Sequence, residues 1–96
     1  MPSKWVLIPT ADQGNYYLPK MENLNLVRFN GVVLAIGTDK KIYVSRDQGI
    51  TWKTSSKYTL PNELGTNNLS ATTDKNGYLW LVGTDTGEVW RGMIIE

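Results

Sequence analysis

Two stretches of this chain are near copies of each other. NGVVLAIGTD (Asn30–Asp39) and NGYLWLVGTD (Asn76–Asp85) share Asn-Gly, a hydrophobic run and Gly-Thr-Asp at an offset of 46 residues. A second short run follows each: KIYVS (Lys41–Ser45) and EVWRG (Glu88–Gly92), where Ile42-Tyr43 aligns with Val89-Trp90 at an offset of 47. Another precedes each: LNLVRF (Leu24–Phe29) and LSATTD (Leu69–Asp74), at an offset of 45. A drift of one residue is what loop insertions produce. Agreement over three consecutive segments makes this an internal repeat, and repeated units bury their apolar faces by stacking on one another.

Each unit reads as β-structure. Asn-Gly between two apolar runs is the strongest short hairpin signal, because both central residues of a type I′ turn need positive φ. The flanking runs are rich in Val, Ile, Leu, Tyr and Trp, which suit a pleated surface. Helical spacing of apolar residues never lasts beyond a turn. The first unit is then strand Leu24–Phe29, turn, strand Val32–Gly37, a turn at Thr38–Lys40, strand Lys41–Ser45, a further turn, and strand Thr51–Thr54. Four antiparallel strands in roughly 45 residues match one blade of a β-propeller. Val32–Ile36 is apolar at every position, as is Tyr78–Val82, which predicts strands covered on both faces. The expected fold is all-β: two four-stranded antiparallel propeller blades, the second incomplete. Residues 1–20 supply an outer strand of a preceding blade plus a loop, 21–54 the first blade, 55–68 a link, and 69–96 the second blade. A single two-layer sandwich is the plainer alternative.

Between the third and fourth strands of the first unit stands SRDQGITW, Ser45–Trp52. Asp47 can accept backbone N–H groups as in an Asx-turn. Gly49 supplies a backbone angle that other residues resist, and Trp52 offers a large ring to cover the hairpin end. The stretch resembles the Asp-box, Ser-x-Asp-x-Gly-x-Thr-Trp, of sialidase-type and many non-enzymatic propellers, with Ser45, Asp47, Gly49, Thr51 and Trp52 all in place. The resemblance implies a structural element on the outer rim, away from the central binding face, and not a catalytic serine and aspartate. More broadly, LPKMENLNLVRFNGVVLAIGT, IYVSRDQGITWK and LWLVGTDTGEVWRG, within residues 18–92, resemble the C-terminal blades of a family of exported β-propeller proteins from Bacteroides-type bacteria. That implies a periplasmic, cell-surface or secreted location, although MPSKWVLIPT holds no signal-peptide apolar region. Family proteins are much longer, and this chain begins in mid-propeller.

The repeat predicts how the sheets are completed. The second unit ends without a last hairpin and outer strand, whereas Trp5 precedes Trp52 by 47 residues, one repeat length. KWVLIP therefore reads as an outer strand whose own blade is missing. Propellers use about 4–8 blades, so two cannot close on themselves. The expected partners are further copies of the chain, with three copies giving six blades, or the rest of a longer propeller.

Several chemistries are excluded by residue content. The chain has no histidine and no cysteine, which removes imidazole general bases, thiolate nucleophiles and the commonest metal ligands. No metal or other cofactor is expected. A sialidase needs three arginines converging on a carboxylate and a tyrosine nucleophile. Here Arg28, Arg46 and Arg91 are the only arginines, and Arg46 lies within the peripheral turn. Asp12, Asp39, Asp47, Asp74 and Asp85 each stand in turn-like surroundings. A net charge of +1 without a basic cluster argues against nucleic acid, and no run nears the ~18 apolar residues of a membrane helix. The expected role is a non-enzymatic binding or scaffolding module for glycan or protein. An assembly-only fragment of a longer propeller is the alternative from another class, and non-catalytic blades of a glycosidase-like enzyme are a third reading. Trp52, Trp80 and Trp90 are expected to pack between blades. Tyr16 and Tyr17, in the polar loop ADQGNYYLPK, and Tyr58, in the link SSKYTLPNELGTNN, are the candidate ligand or partner surface, because loops carry function more often than strands.

Overall fold

The computed structural model describes residues 4–11, 16–55, 60–61, 64, 68–83 and 87–93. Tyr58, Asp12 and Asp85 lie outside the described residues, as does most of the 55–68 link. Among the described residues nine strands form three sheets, and none is helical. Strands β1 (Thr10–Ala11) and β2 (Leu18–Pro19) make a short parallel pair. Strands β3 (Asn25–Phe29), β4 (Val32–Ile36), β5 (Ile42–Ser45) and β6 (Lys53–Thr54) form a four-stranded antiparallel meander. Strands β7 (Leu69–Thr73), β8 (Tyr78–Gly83) and β9 (Glu88–Met93) form a three-stranded one.

The turns explain the register. Phe29 pairs directly with Val32, so Asn30 and Gly31 form a two-residue loop, and both have positive φ, 48° and 77°. That is the type I′ geometry expected of Asn-Gly. The second Asn-Gly behaves differently. Of its two residues only Gly77 has positive φ, and the loop is widened to Asp74–Gly77. Asp74 causes the change: its Oδ1 accepts from the backbone N–H groups of Asn76 (2.8 Å) and Tyr78 (3.1 Å). A side-chain acceptor that satisfies those donors replaces the tight turn with an Asx-closed one. Asp39 closes the β4–β5 turn in the same manner, taking Lys41 N–H at 3.1 Å and the Tyr43 hydroxyl at 2.5 Å. Burial, followed by the Asp39 carboxylate, pushes the Tyr43 hydroxyl up to about 12.

The core lies between the two meanders. Val27, Val32, Leu34, Ile36 and Ile42 of the first sheet pack with Leu69, Leu79 and Leu81 of the second, and Leu60 and Leu64 of the link join them. A smaller cluster on the opposite face of β4 joins Leu18, Ala35 and Trp52. Strand β4 is therefore covered on both faces, as its unbroken apolar run requires. Strand β8 is not. Leu79 and Leu81 are buried, whereas Tyr78, Trp80 and Val82 are half-exposed, because among the described residues the second sheet has its neighbour on one face only.

The leading strands β3 and β7 lie side by side and run the same way. Asn25 Nδ2 donates to the Leu69 carbonyl at 2.8 Å at one end, and Thr73 Oγ1 donates to the Arg28 carbonyl at 2.7 Å at the other. At that second end Gly77 sits against the Phe29 ring, and a Cβ there would stand 3.2 Å from Phe29 Cζ. Residues Lys4–Pro9, where a strand is expected at Trp5–Ile8, pair with neither sheet.

Candidate functional site

The turn between β5 and β6 is held by its own polar groups. Ser45, fully buried, accepts the Gly49 N–H at 2.8 Å through Oγ and donates to Asp47 Oδ1 at 2.9 Å. Asp47 Oδ1 also accepts Thr51 N–H at 2.9 Å, and Oδ2 accepts the Thr51 hydroxyl at 2.5 Å. Gln48 and Gly49 both have positive φ, 62° and 94°, a conformation in which a β-carbon at residue 49 is strained and would also meet Ile8 Cδ1 at 3.2 Å. Trp52, almost fully buried, caps the arrangement by donating Nε1–H to the Gly49 carbonyl at 2.8 Å. Both Asp47 oxygens and the Ser45 hydroxyl are engaged inside the turn, so the five residues singled out by sequence are brought together as one scaffold.

Thr51, first through its hydroxyl and then through its N–H, draws the Asp47 carboxyl down to about 2. A carboxylate depressed in the folded state stabilises it above the unfolded value of about 4, and that contribution disappears as pH falls toward the folded value. The melting temperature of the protein is thus expected to drop on acidification from about pH 4 to about pH 2, and Asp47→Asn should flatten part of that slope. Asp74, whose carboxyl is lowered chiefly by the Trp80 hydrogen bond, adds to the same slope. Melting curves recorded across this range check the prediction, and identical slopes in both proteins contradict it.

The loop tyrosines stand beside this turn. The Tyr16 carbonyl accepts the Trp52 N–H at 2.7 Å, which fixes the backbone of the N-terminal segment to the hairpin end. Both rings remain in solvent, Tyr16 at 62% and Tyr17 at 45% exposure. Tyr58, the third candidate, lies outside the described residues.

A second group escaped sequence reasoning. Cross-strand partners share a face, so Tyr78, Trp80, Val82, Val89, Arg91 and Met93 all project from the side of the second sheet opposite the core. The Arg91 guanidinium lies 4.4 Å from the centre of the Tyr78 ring and 5.5 Å from that of Trp80, within cation–π range. Trp80 Nε1 donates to Asp74 Oδ2 at 2.8 Å. Trp80 therefore does not join Trp90 against the inter-sheet cluster. The missed signal is the period of two: aromatic Tyr78 and Trp80 alternate with aliphatic Leu79 and Leu81, which marks two different faces. Among the described residues no group of three metal-binding side chains gathers.

Two antiparallel meanders whose first strands lie side by side, each carrying its later strands outward, form the blade arrangement of a propeller. The family model described as the DUF6242 beta propeller domain matches residues 2–96. The chain belongs to the DUF6242 β-propeller family. No curated protein and no solved structure matches it. As part of a DUF6242 propeller domain, the four-stranded meander is one blade and the three-stranded meander a partial one. The β3–β7 contact is the blade-to-blade contact.

In this DUF6242 domain Leu-Pro occurs twice, as Leu18-Pro19, 13 residues after Trp5, and as Leu60-Pro61, 8 residues after Trp52. Both leucines are buried, Leu18 on the far face of the first blade and Leu60 between the two blades.

Proposed function

We propose that this domain is a non-catalytic binding module at the bacterial periphery, presenting Tyr16 and Tyr17 to a glycan or protein ligand. One observation carries the reading: the Tyr16 backbone is clamped to the buried Trp52 strand while both rings face water. Rigidly mounted aromatic rings offer large amphipathic contact area with little side-chain entropy to lose, which suits stacking on a sugar face or a protein surface. The Ser45–Trp52 turn is read as an Asp-box, a rim element whose polar groups serve the fold. Its resemblance to exported propellers supports a periplasmic, cell-surface or secreted setting. The absence of histidine and cysteine from the sequence leaves carboxylates, lysines and tyrosines for acid–base work, and the turns engage Asp39, Asp47 and Asp74.

A glycan array probed with the labelled protein tests the reading. Retained glycans should lose about tenfold or more in affinity, ~1.4 kcal/mol, when Tyr16 and Tyr17 are both changed to alanine, with the melting temperature unchanged. Equal binding by the double variant would retire the tyrosine surface.

A further inference from the structure

We propose that a second copy of this chain completes the three-stranded blade. The copy's residues Lys4–Ile8 would add as a fourth strand, antiparallel along the free edge of β9, with Val6 opposite Arg91 and Leu7 opposite Trp90.

The first blade shows what the second lacks. There β6 follows the buried Trp52 and pairs with β5, placing Lys53 opposite Val44 and Thr54 opposite Tyr43. Among the described residues β9 is the last strand of the second sheet, and its outer edge presents a row of main-chain donors and acceptors. Such an edge is a template for another strand. The alternation along β9 leaves all but Trp90 exposed, Val89 at 61%.

The chain carries one segment with the right pattern, and it is unpaired. Trp5, Val6 and Leu7 stand 47 residues before Trp52, Lys53 and Thr54, and Val89-Trp90 stand 47 after Ile42-Tyr43. Carrying the β5–β6 register across by that offset gives the pairing stated above. Trp5 and Leu7 are 91% and 94% exposed. Two bulky apolar side chains left in water on an extended segment are a strong incentive for burial, about 25 cal/mol per Å².

Lys4–Ile8 cannot supply that strand within its own chain. Leu18 and Trp52, which anchor the N-terminal segment, pack on the face of β4 that carries Ala35. The second blade packs on the face that carries Leu34 and Ile36. Those faces are opposite, so the segment lies on the far flank of the first blade and cannot reach β9 of its own chain without crossing the first sheet. A copy docked head-to-tail satisfies both needs. It would bring its own first blade over the Tyr78–Trp80–Arg91 face and its Trp5 segment along β9, repeating the blade step already present within the chain. Head-to-tail contacts close into rings when the rotation permits. Three copies give six blades, within the range of about 4–8 that propellers use.

Size-exclusion chromatography with light scattering on the full chain is the test. The expected mass is a discrete small multiple of the 10.8 kDa chain, with the trimer favoured. Val6→Pro should return it to 10.8 kDa with the melting transition of a folded chain, because Val6 takes the place of Lys53, whose N–H lies in the ladder, and proline has none. A chain of 10.8 kDa at high micromolar concentration overturns the proposal, and so does an oligomer or a mixture that Val6→Pro leaves unchanged. The register has its own check, since the chain has no cysteine. Val6→Cys and Arg91→Cys proteins, mixed and treated with a short thiol–thiol cross-linker, should yield a joined pair containing one of each. Failure to join, or joining only of two identical chains, overturns the pairing.

Discussion

Trp52→Ala is expected to destabilise the protein by about 3–5 kcal/mol, measured as a fall in the urea midpoint at constant slope. The indole is 3% exposed and forms the small cluster with Leu18 and Ala35. Its removal opens a cavity on the far face of β4 and leaves the Gly49 carbonyl without the Nε1–H donor it holds at 2.8 Å. Domains of this size are stable by only about 5–15 kcal/mol, so the loss is a large fraction of the total. Trp52→Phe should fall between, keeping most of the apolar area and losing a hydrogen bond that contributes about 1 kcal/mol. A loss below about 1 kcal/mol for the alanine variant would mean that the ring does not fasten the hairpin end to the N-terminal segment. The same measurement on Val89→Ala, whose side chain is largely exposed, should move stability by no more than about 0.5 kcal/mol.

Leu34→Ala is expected to remove about 2–5 kcal/mol and to act on both blades at once. Leu34 is 2% exposed and belongs to the cluster shared by the first sheet, the link leucines and Leu69, Leu79 and Leu81 of the second. If the blades unfold as one unit, tryptophan fluorescence, which includes Trp90 against that cluster, and far-ultraviolet circular dichroism will shift together. Separate transitions in the two signals would show instead that each meander melts alone. The hydrogen bonds from Asn25 to Leu69 and from Thr73 to Arg28 tie β3 to β7 at both ends, which is why a single transition is the expected outcome.

Much of this fold was legible in advance because its signals are local. Asn30-Gly31 makes the expected two-residue turn, and the four strands of the first meander begin and end within a residue or two of the pattern, whereas the strand expected at Trp5–Ile8 does not form. Ser45, Asp47, Gly49, Thr51 and Trp52 meet because eight consecutive residues carry every donor and acceptor the turn needs. Asn76-Gly77 departed from its twin for a reason present in the sequence but easily overlooked: Asp74 stands where the first unit has Phe29, and its carboxylate takes over the turn. The Tyr16 carbonyl was a different matter. Its bond to Trp52 joins segments 36 residues apart in sequence, and no local rule points to it.

The sequence by itself determined that there are two copies of one sheet-forming unit, where their strands run and which residues lie on the same side of each strand. Only the tertiary structure decided which side is covered and by what. Alternation with a period of two sorts side chains into two faces, but burial depends on which distant surface lands on each face. Val32–Ile36 and Tyr78–Val82 look equally apolar as strings. The first strand is enclosed by Leu18 and Trp52 on one side and by the second blade on the other. Among the described residues the second strand has a neighbour only where Leu79 and Leu81 point, and Arg91 lies over the Tyr78 and Trp80 rings on the other, half-exposed face.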